Sequence, residues 1–301
     1  MKHTQNEEQI RELLDALTEM THLYKTHNES AAKPLRKKLR ALKKLRKGGF
    51  RSLLGYARRK LRKPSVQDAS APACDYFSDE KIAVYTALFG KYDTVREPVC
   101  RPDNIDYYIL TDQEMDADSS WRPLDFRALI PEPYAGDPVM ANRWCKLHPH
   151  KLFPEYEYSI YVDSNYLITS DLTALVNQMA DFPAALFRHK DRSCVYDEID
   201  RCIEIQKDKK DRLLAHREAL LKKGLPEQYG LLEAPVIVRK HHDEACVRLM
   251  DVWWKNFCNG CRRDQVALPE ALWDLGIPTD TLATLGDDFR KCDLFVTFPH
   301  N

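Results

Sequence analysis

Lys81-Ile82-Ala83-Val84-Tyr85-Thr86-Ala87-Leu88 is the stretch at which the chain changes texture. It is apolar, β-branched and aromatic, and too short for a typical helix. It reads as a strand buried on both faces. The pattern recurs at Asp106-Tyr107-Tyr108-Ile109-Leu110-Thr111-Asp112, at Tyr158-Ser159-Ile160-Tyr161-Val162-Asp163, at Ala184–Arg188, at Pro235–Arg239 and at Leu294–Phe298. Helical spacing fills the gaps, over about residues 139–152, 171–180, 196–223, 242–258 and 263–275. Strands that alternate with helices predict an α/β fold with a buried sheet over residues 80–301.

Upstream of that run the texture is different. Residues 1–67 read as a helical, basic N-terminal arm, and residues 68–79 as a linker inside the Ser/Ala/Pro-rich stretch 64–78. Ile10, Leu13, Leu14, Leu17 and Met20 have helical spacing, as do Leu35, Leu39, Leu42 and Leu45. The chain balances 46 Lys and Arg against 46 Asp and Glu, yet these charges are segregated. From Lys33 to Lys63 there are 15 basic residues and no acid, so the remainder is acidic. Leucines among Lys and Arg suit an anionic membrane surface, which residues 33–63 would meet. The alternative is a helix packed on the acidic body. A nucleic-acid partner is not expected, because aromatic interleaving is missing.

No stretch reaches 18 apolar residues, so no transmembrane helix is expected, and the polar first residues do not read as a secretory signal. Nine scattered cysteines suit a reducing compartment better than a disulfide framework. The expected location is cytoplasmic, or peripheral on the inner face of the membrane. Cys258-Asn259-Gly260-Cys261 is a lone CxxC with no partner knuckle and weakly suggests zinc.

Candidate chemistry gathers at strand ends. Thr86, Asp112 and Asp163 lie where an α/β sheet binds ligands, although single residues there also serve as helix caps. Tyr161-Val162-Asp163-Ser164-Asn165 delivers two oxygen-bearing side chains at i and i+2, which share a side if the chain is extended. Such a pair suits Mg²⁺ or Mn²⁺ with a diphosphate. Arg143 and Lys146 share a helix face that suits phosphate or faces solvent. Phe187-Arg188-His189-Lys190-Asp191-Arg192 places cations after a strand. Asp264 opens a helix, as a cap or as a carboxylate that activates a hydroxyl. His300 matters only if its segment folds over a site.

The ordered set of motifs resembles a glycosyltransferase-like family of bacteria and plants, long catalogued as a domain of unknown function and linked to mucilage and capsule. The resemblance runs through Lys81–Asp93, Tyr108–Asp112, Arg143-Trp144-Cys145-Lys146, Leu152–Tyr156, Tyr161–Asn165, Phe187–Arg192, Tyr196-Asp197-Glu198, Gly230–Arg239 and Arg263-Asp264-Gln265. It implies a GT-A-like Rossmann-type sheet that binds a nucleotide-sugar. It also implies sugar transfer to a glycan or lipid-linked acceptor, in bacterial surface polysaccharide synthesis. By that resemblance Asp163 and Asn165, with His300, would hold Mn²⁺ or Mg²⁺, Asn165 standing where the family has a second aspartate. The nucleotide would lie across Thr86, Ala87 and Asp112, with Arg143, Lys146, Arg263 and Gln265 on the donor. Arg188, His189 and Arg192 would orient the sugar or the outgoing diphosphate. Asp264 is the first candidate for base or acceptor-positioning residue and Glu233 the second. Two rivals stand beside this reading. One is a non-catalytic glycan- or lipid-binding scaffold. The other is a nucleotidyltransferase, disfavoured because only Gly90 follows the first strand where a Gly-rich phosphate loop is expected.

Overall fold

The run that sets the pattern is a strand, β1 (Ile82–Leu88), with every side chain buried. The structure, a computed structural model, describes residues 80–300 other than residue 91. The arm, the linker and residues 33–63 lie outside the described residues. Alternation along β1 explains its composition. Ala83, Tyr85 and Ala87 enter one apolar cluster, and Ile82 and Val84 enter another on the opposite face.

β1 pairs in parallel with β2 (Ile105–Thr111), which pairs in parallel with β3 (Arg122–Leu124). On its other side β1 pairs in parallel with β4 (Tyr158–Val162). A small antiparallel sheet joins β5 (Tyr166–Ile168) to the last strand, β8 (Phe295–Thr297). The main sheet is completed by β6 (Ala184–Arg188) and β7 (Leu232–Lys240), in the order β3-β2-β1-β4-β7-β6. Only β7 runs against the rest, antiparallel to both β4 and β6. The fold is therefore mixed α/β around a mostly parallel sheet flanked by helices.

The short helices α1 (Phe126–Leu129) and α2 (Glu132–Ala135) and the strands β3 and β5 carry too few residues to show a period, and the sequence pattern misses them. The segment expected over 139–152 is two helices, α3 (Pro138–Leu147) and α4 (Pro149–Leu152). Pro149 lacks the amide that would continue the ladder. The segment expected over 171–180 is helical only in α5 (Thr173–Val176). That over 196–223 divides into α6 (Val195–Glu204) and α7 (Lys210–Lys223), with Gln206 turning between them at φ 53°. α8 (Glu244–Asn259) and α9 (Asp264–Leu275) match their expected segments closely and pack with α3 on the Tyr85 face. β7 begins earlier than expected, at Leu232, and carries Pro235 inside it. A shift in the β6–β7 register accommodates that proline, which has no donor for the ladder.

One charged side chain is wholly enclosed in this core. Arg239 of β7 donates from Nη2 to the Tyr85 hydroxyl at 2.6 Å and from Nη1 to the Lys146 carbonyl at 2.6 Å. The Tyr85 hydroxyl in turn donates towards the carbonyls of Cys145 and Lys146 at 3.1 and 3.2 Å. The end of α3 is thereby pinned to two strands. No helix among the described residues is long and apolar enough to cross a membrane.

Tyr85→Phe removes the acceptor of a buried guanidinium while keeping the ring. Urea unfolding should show a loss of about 1.5–3 kcal/mol, the range for hydrogen bonds to charged groups. A loss near zero would show that the hydroxyl does not hold Arg239.

Candidate active site

A cavity of about 630 Å³ opens where β1, β4 and β6 end and β7 begins. The antiparallel direction of β7 brings its first residues to the same end of the sheet as the others' last. Arg143, Lys146, Asp163, Asn165, His189, Arg192, Glu233, Arg263, Asp264, Gln265 and His300 all line it. These residues are spread over 158 positions of chain, from 143 to 300, and meet because the strand ends do.

Its floor is a buried charge cluster. Lys146, 2% exposed, places Nζ 2.8 Å from Asp264 Oδ2 and 3.5 Å from Asp163 Oδ1. Arg143, one helical turn earlier, sets Nε 3.2 Å from Asp264 Oδ1 and its Nη1 on the Asn142 side-chain carbonyl. Burial alone would raise the Asp264 carboxyl, but Arg143 and Lys146 together hold it far below the usual carboxylate range. A carboxylate so stabilised as an anion is a poor proton acceptor. Asp264, expected as base or acceptor-positioning residue, here anchors two cations. Lys146, expected on the donor phosphates, has these two carboxylates as its partners and lines the cavity.

Glu233 offers the opposite environment. It is buried in β7, and desolvation raises its carboxyl above the ordinary value although Arg290 Nη1 donates to both oxygens at 3.0 and 3.1 Å. His189 Nε2 lies 3.7 Å away. His189 accepts the amides of Asp191 and Arg192 on Nδ1, at 3.1 and 3.0 Å. Nε2, on the other side of the ring, lies 3.1 Å from Arg192 Nη2. Burial and the guanidiniums of Arg192 and Arg290 push His189 down to about 4, so it is neutral near pH 7. Arg192 binds Glu198 at 2.7 Å. The two carboxylates thus sit in opposite electrostatic environments, Asp264 lowered and Glu233 raised.

The Asp163-Ser164-Asn165 segment also departs from expectation. Strand β4 stops at Val162, and the Tyr166 amide closes a turn on the Asp163 carbonyl at 3.2 Å. The extended geometry that would align residues 163 and 165 is absent. Asn165 turns its Nδ2 to the Phe298 carbonyl at 3.0 Å, and its own carbonyl accepts the Phe298 amide at 2.8 Å. Asp163 stays about one-third exposed to the cavity. His300 is not frayed: its Nδ1 meets both oxygens of Asp93 at 3.0 and 3.1 Å, and its ring lies on Tyr92. Among the described residues no three His, Cys, Asp or Glu side chains converge as a ready metal site. Asp163, the Asn165 amide oxygen and His300 fit a divalent cation only if substrate phosphates supply the other ligands, as Mg²⁺ sites commonly require.

Four expected ligand contacts lie elsewhere. Thr86 and Ala87 are buried within β1, and the chain reaches the cavity at Leu88, its last residue, and at Phe89 just beyond it. The Ala87 carbonyl is taken by Asn142 Nδ2 at 2.5 Å. Asp112 is exposed and receives the Gly90 amide at 3.0 Å, bracing a glycine at φ +70°. Arg188 turns to Asp280 and Asp287 at 2.6 and 3.3 Å. Conversely, sequence reasoning passed over Asp93, Arg290 and Lys207, which reach the cavity from loops that carry no periodic signal. Asp93 stood in the Lys81–Asp93 motif without a role.

The loop that presents Arg263 and Asp264 is held from behind. His216 Nδ1 accepts the Cys261 amide at 2.9 Å, and its Nε2 meets Glu270 at 2.9 Å. A side chain on Gly260 would come within 2.3 Å of the His216 ring. This packing, and not a metal, accounts for the CxxC segment, where Cys261 is buried and Cys258 exposed.

The sequence matches the family described as TOD1/MUCI70, glycosyltransferase-like domain, over residues 54–300. No curated protein matches the chain. Among solved structures the chain is similar to the WbbM bifunctional glycosyltransferase in its apo form, at 14% identity and TM-score 0.38, over 66% of this chain and 38% of that one. It is also similar to the apo form of mouse xyloside xylosyltransferase 1, at 10% identity and TM-score 0.36, over 67% of this chain and 83% of that one. The chain thus spans well under half of the WbbM protein.

Asp264→Asn should cost about 3–5 kcal/mol of stability near pH 7, because it leaves Arg143 and Lys146 buried against a neutral group. The folded-state value of this carboxyl is depressed, so its contribution is present above the unfolded value of about 3.9 and is lost as pH falls below it. Unfolding curves of wild type and variant should therefore converge at acid pH. A constant gap between pH 7 and pH 2 would refute the ion-pair account.

Proposed function

The chain belongs to the TOD1/MUCI70 glycosyltransferase-like domain family, and on that premise we propose that it is a glycosyltransferase with a GT-A-type site. It moves a sugar from a nucleotide-sugar donor to a glycan or lipid-linked acceptor, in bacterial surface polysaccharide synthesis. The observation that carries this reading is the single cavity in which a half-open Asp163 turn and His300 face Glu233 across a cationic floor. A sheet whose one reversed strand lies between β4 and β6 supports the GT-A assignment.

In this reading Asp163, the Asn165 amide oxygen and His300 hold Mn²⁺ or Mg²⁺, which supplies Lewis-acid neutralisation of the diphosphate when bound. Arg263, whose buried Nε has no partner in the protein, faces the leaving phosphates with Arg143 and Gln265. The acceptor hydroxyl oxygen bonds to the sugar's anomeric carbon as the bond to the diphosphate breaks. The hydroxyl proton passes to Glu233. Arg290 keeps Glu233 oriented, and the neutral His189 beside it avoids a second cation that would suppress its basicity. Asp264 does no proton chemistry and fixes Arg143 and Lys146.

Asn165 favours one alternative, a non-catalytic glycan- or lipid-binding scaffold. A neutral amide with its nitrogen committed to Phe298 is a weaker cation ligand than the carboxylate it replaces. Transfer and hydrolysis assays over a nucleotide-sugar panel with Mn²⁺ separate the two. Asp163→Ala and Glu233→Gln should each lower turnover by about 10²–10⁴-fold, whereas unchanged turnover in both would remove the assigned roles. No nucleotide binding by the wild type would favour the scaffold.

Membrane docking rests on residues 33–63 and their charge alone. The full chain should sediment with vesicles containing phosphatidylserine and remain in solution with phosphatidylcholine alone, with binding falling as salt rises. Equal partition with both vesicle types would remove the docking idea.

A further inference from the structure

Asp93 is a buried carboxylate to which neither the sequence motifs nor the proposed proton chemistry gives a task. Its side chain is 4% exposed, yet it lines the cavity, and its contacts run from 2.9 to 3.1 Å. Ser164 Oγ, in the middle of the Asp163–Asn165 turn, donates to Asp93 Oδ2 at 2.9 Å. From the far end of the described chain, His300 Nδ1 meets Oδ1 at 3.0 Å and Oδ2 at 3.1 Å. One carboxylate therefore bridges two segments 136 residues apart, Ser164 and His300. The rest of the His300 segment is tied to the same turn. Phe298 exchanges hydrogen bonds with Asn165 in both directions, Thr297 pairs with Tyr166, and the Arg96 guanidinium lies 3.5 Å over the Phe298 ring.

The chemistry of imidazole gives this bridge a consequence. A ring that donates Nδ1–H to a carboxylate has only Nε2 left to offer a lone pair, and the hydrogen bond both selects that tautomer and makes Nε2 a stronger donor. The Tyr92 ring lies against it, tilted, at 4.6 Å between centroids. Through Ser164 the same carboxylate restrains the turn that presents Asp163. We propose that Asp93 is a positioning residue that fixes His300, with Nε2 free, and the Asp163 turn as the two halves of one cation site. This rests on the reading that Asp163 and His300 hold a divalent cation. Asp93 itself is engaged on both oxygens and is not a ligand.

The test is Mn²⁺ binding to the full chain with uridine diphosphate or guanosine diphosphate supplying the phosphate ligands, read as the loss of the free-ion electron paramagnetic resonance signal beyond that caused by the nucleotide alone. Asp93→Asn should weaken Mn²⁺ binding by about 10–100-fold, the usual cost of losing a carboxylate behind a ligating histidine. His300→Gln should weaken it similarly, and the double variant should lose less than the product of the two single losses, because the part of the Asp93 effect that acts through His300 is already gone. If His300→Gln loses affinity and Asp93→Asn binds like wild type, the positioning role is overturned and the cation site stands. If wild type binds no Mn²⁺, both fall. Should Asp93→Asn not fold, nitrogen-15 histidine spectra of the wild type decide. A ring at His300 protonated on Nδ1 supports the proposal, and one protonated on Nε2 alone overturns it.

Discussion

Lys146 is the interaction point on which the site depends. An ammonium taken almost wholly out of water must find carboxylates, and it finds Asp264 at 2.8 Å and Asp163 at 3.5 Å. The first belongs to the start of α9 and the second to the end of β4, while Lys146 itself ends α3. Three elements are thus locked at one point by a charge that none could leave uncompensated. Beneath it, Arg239 repeats the logic: its guanidinium holds the Lys146 carbonyl and the Tyr85 hydroxyl, so the backbone that carries the lysine is fixed from inside the core.

This arrangement separates the two acidic candidates by environment. Asp264 faces two cations at close range and is kept ionised. Glu233 has one guanidinium on it, from a residue about half exposed, with His189 3.7 Å away, and its burial raises the carboxyl. The same side-chain chemistry is therefore held ionised in one place and pushed towards the neutral form in the other. Strand direction matters as much as charge. Because β7 alone is reversed, Glu233 at its start arrives at the same sheet edge as Asp163 at the end of β4.

Much of the frame was legible before the structure. Apolar runs marked β1, β2, β4, β6 and β7 to within a few residues, because burial on both faces requires uninterrupted apolar sequence, and the half-buried β8 was marked by Phe295 and Val296. Helices α8 and α9 were legible for the same reason at helical period. The site was partly legible. Residues that end a strand or open a helix reach the cavity, as Asp163, Arg263, Asp264 and Gln265 do. Thr86 and Ala87 failed because a strand's final accessible residue depends on how far its neighbours continue to pair, and β2 accompanies β1 to Leu88. Arg188 failed because a long cation takes the nearest carboxylates, here from residues 280 and 287, which no local pattern announces.

What the sequence by itself determined is the alternation of elements, the buried sheet and the order of the motifs, since each depends on the local period of apolar residues. Only the tertiary structure decided the electrostatic character of the candidates. Whether a carboxylate is an anchor, a base or the brace behind a histidine depends on which charges face it, and for Asp264, Glu233 and Asp93 those charges arrive from distant parts of the chain. Asp93 is the clearest case, with its two partners at positions 164 and 300. Electrostatic attraction and desolvation act through space, and the sequence records only neighbours along the chain.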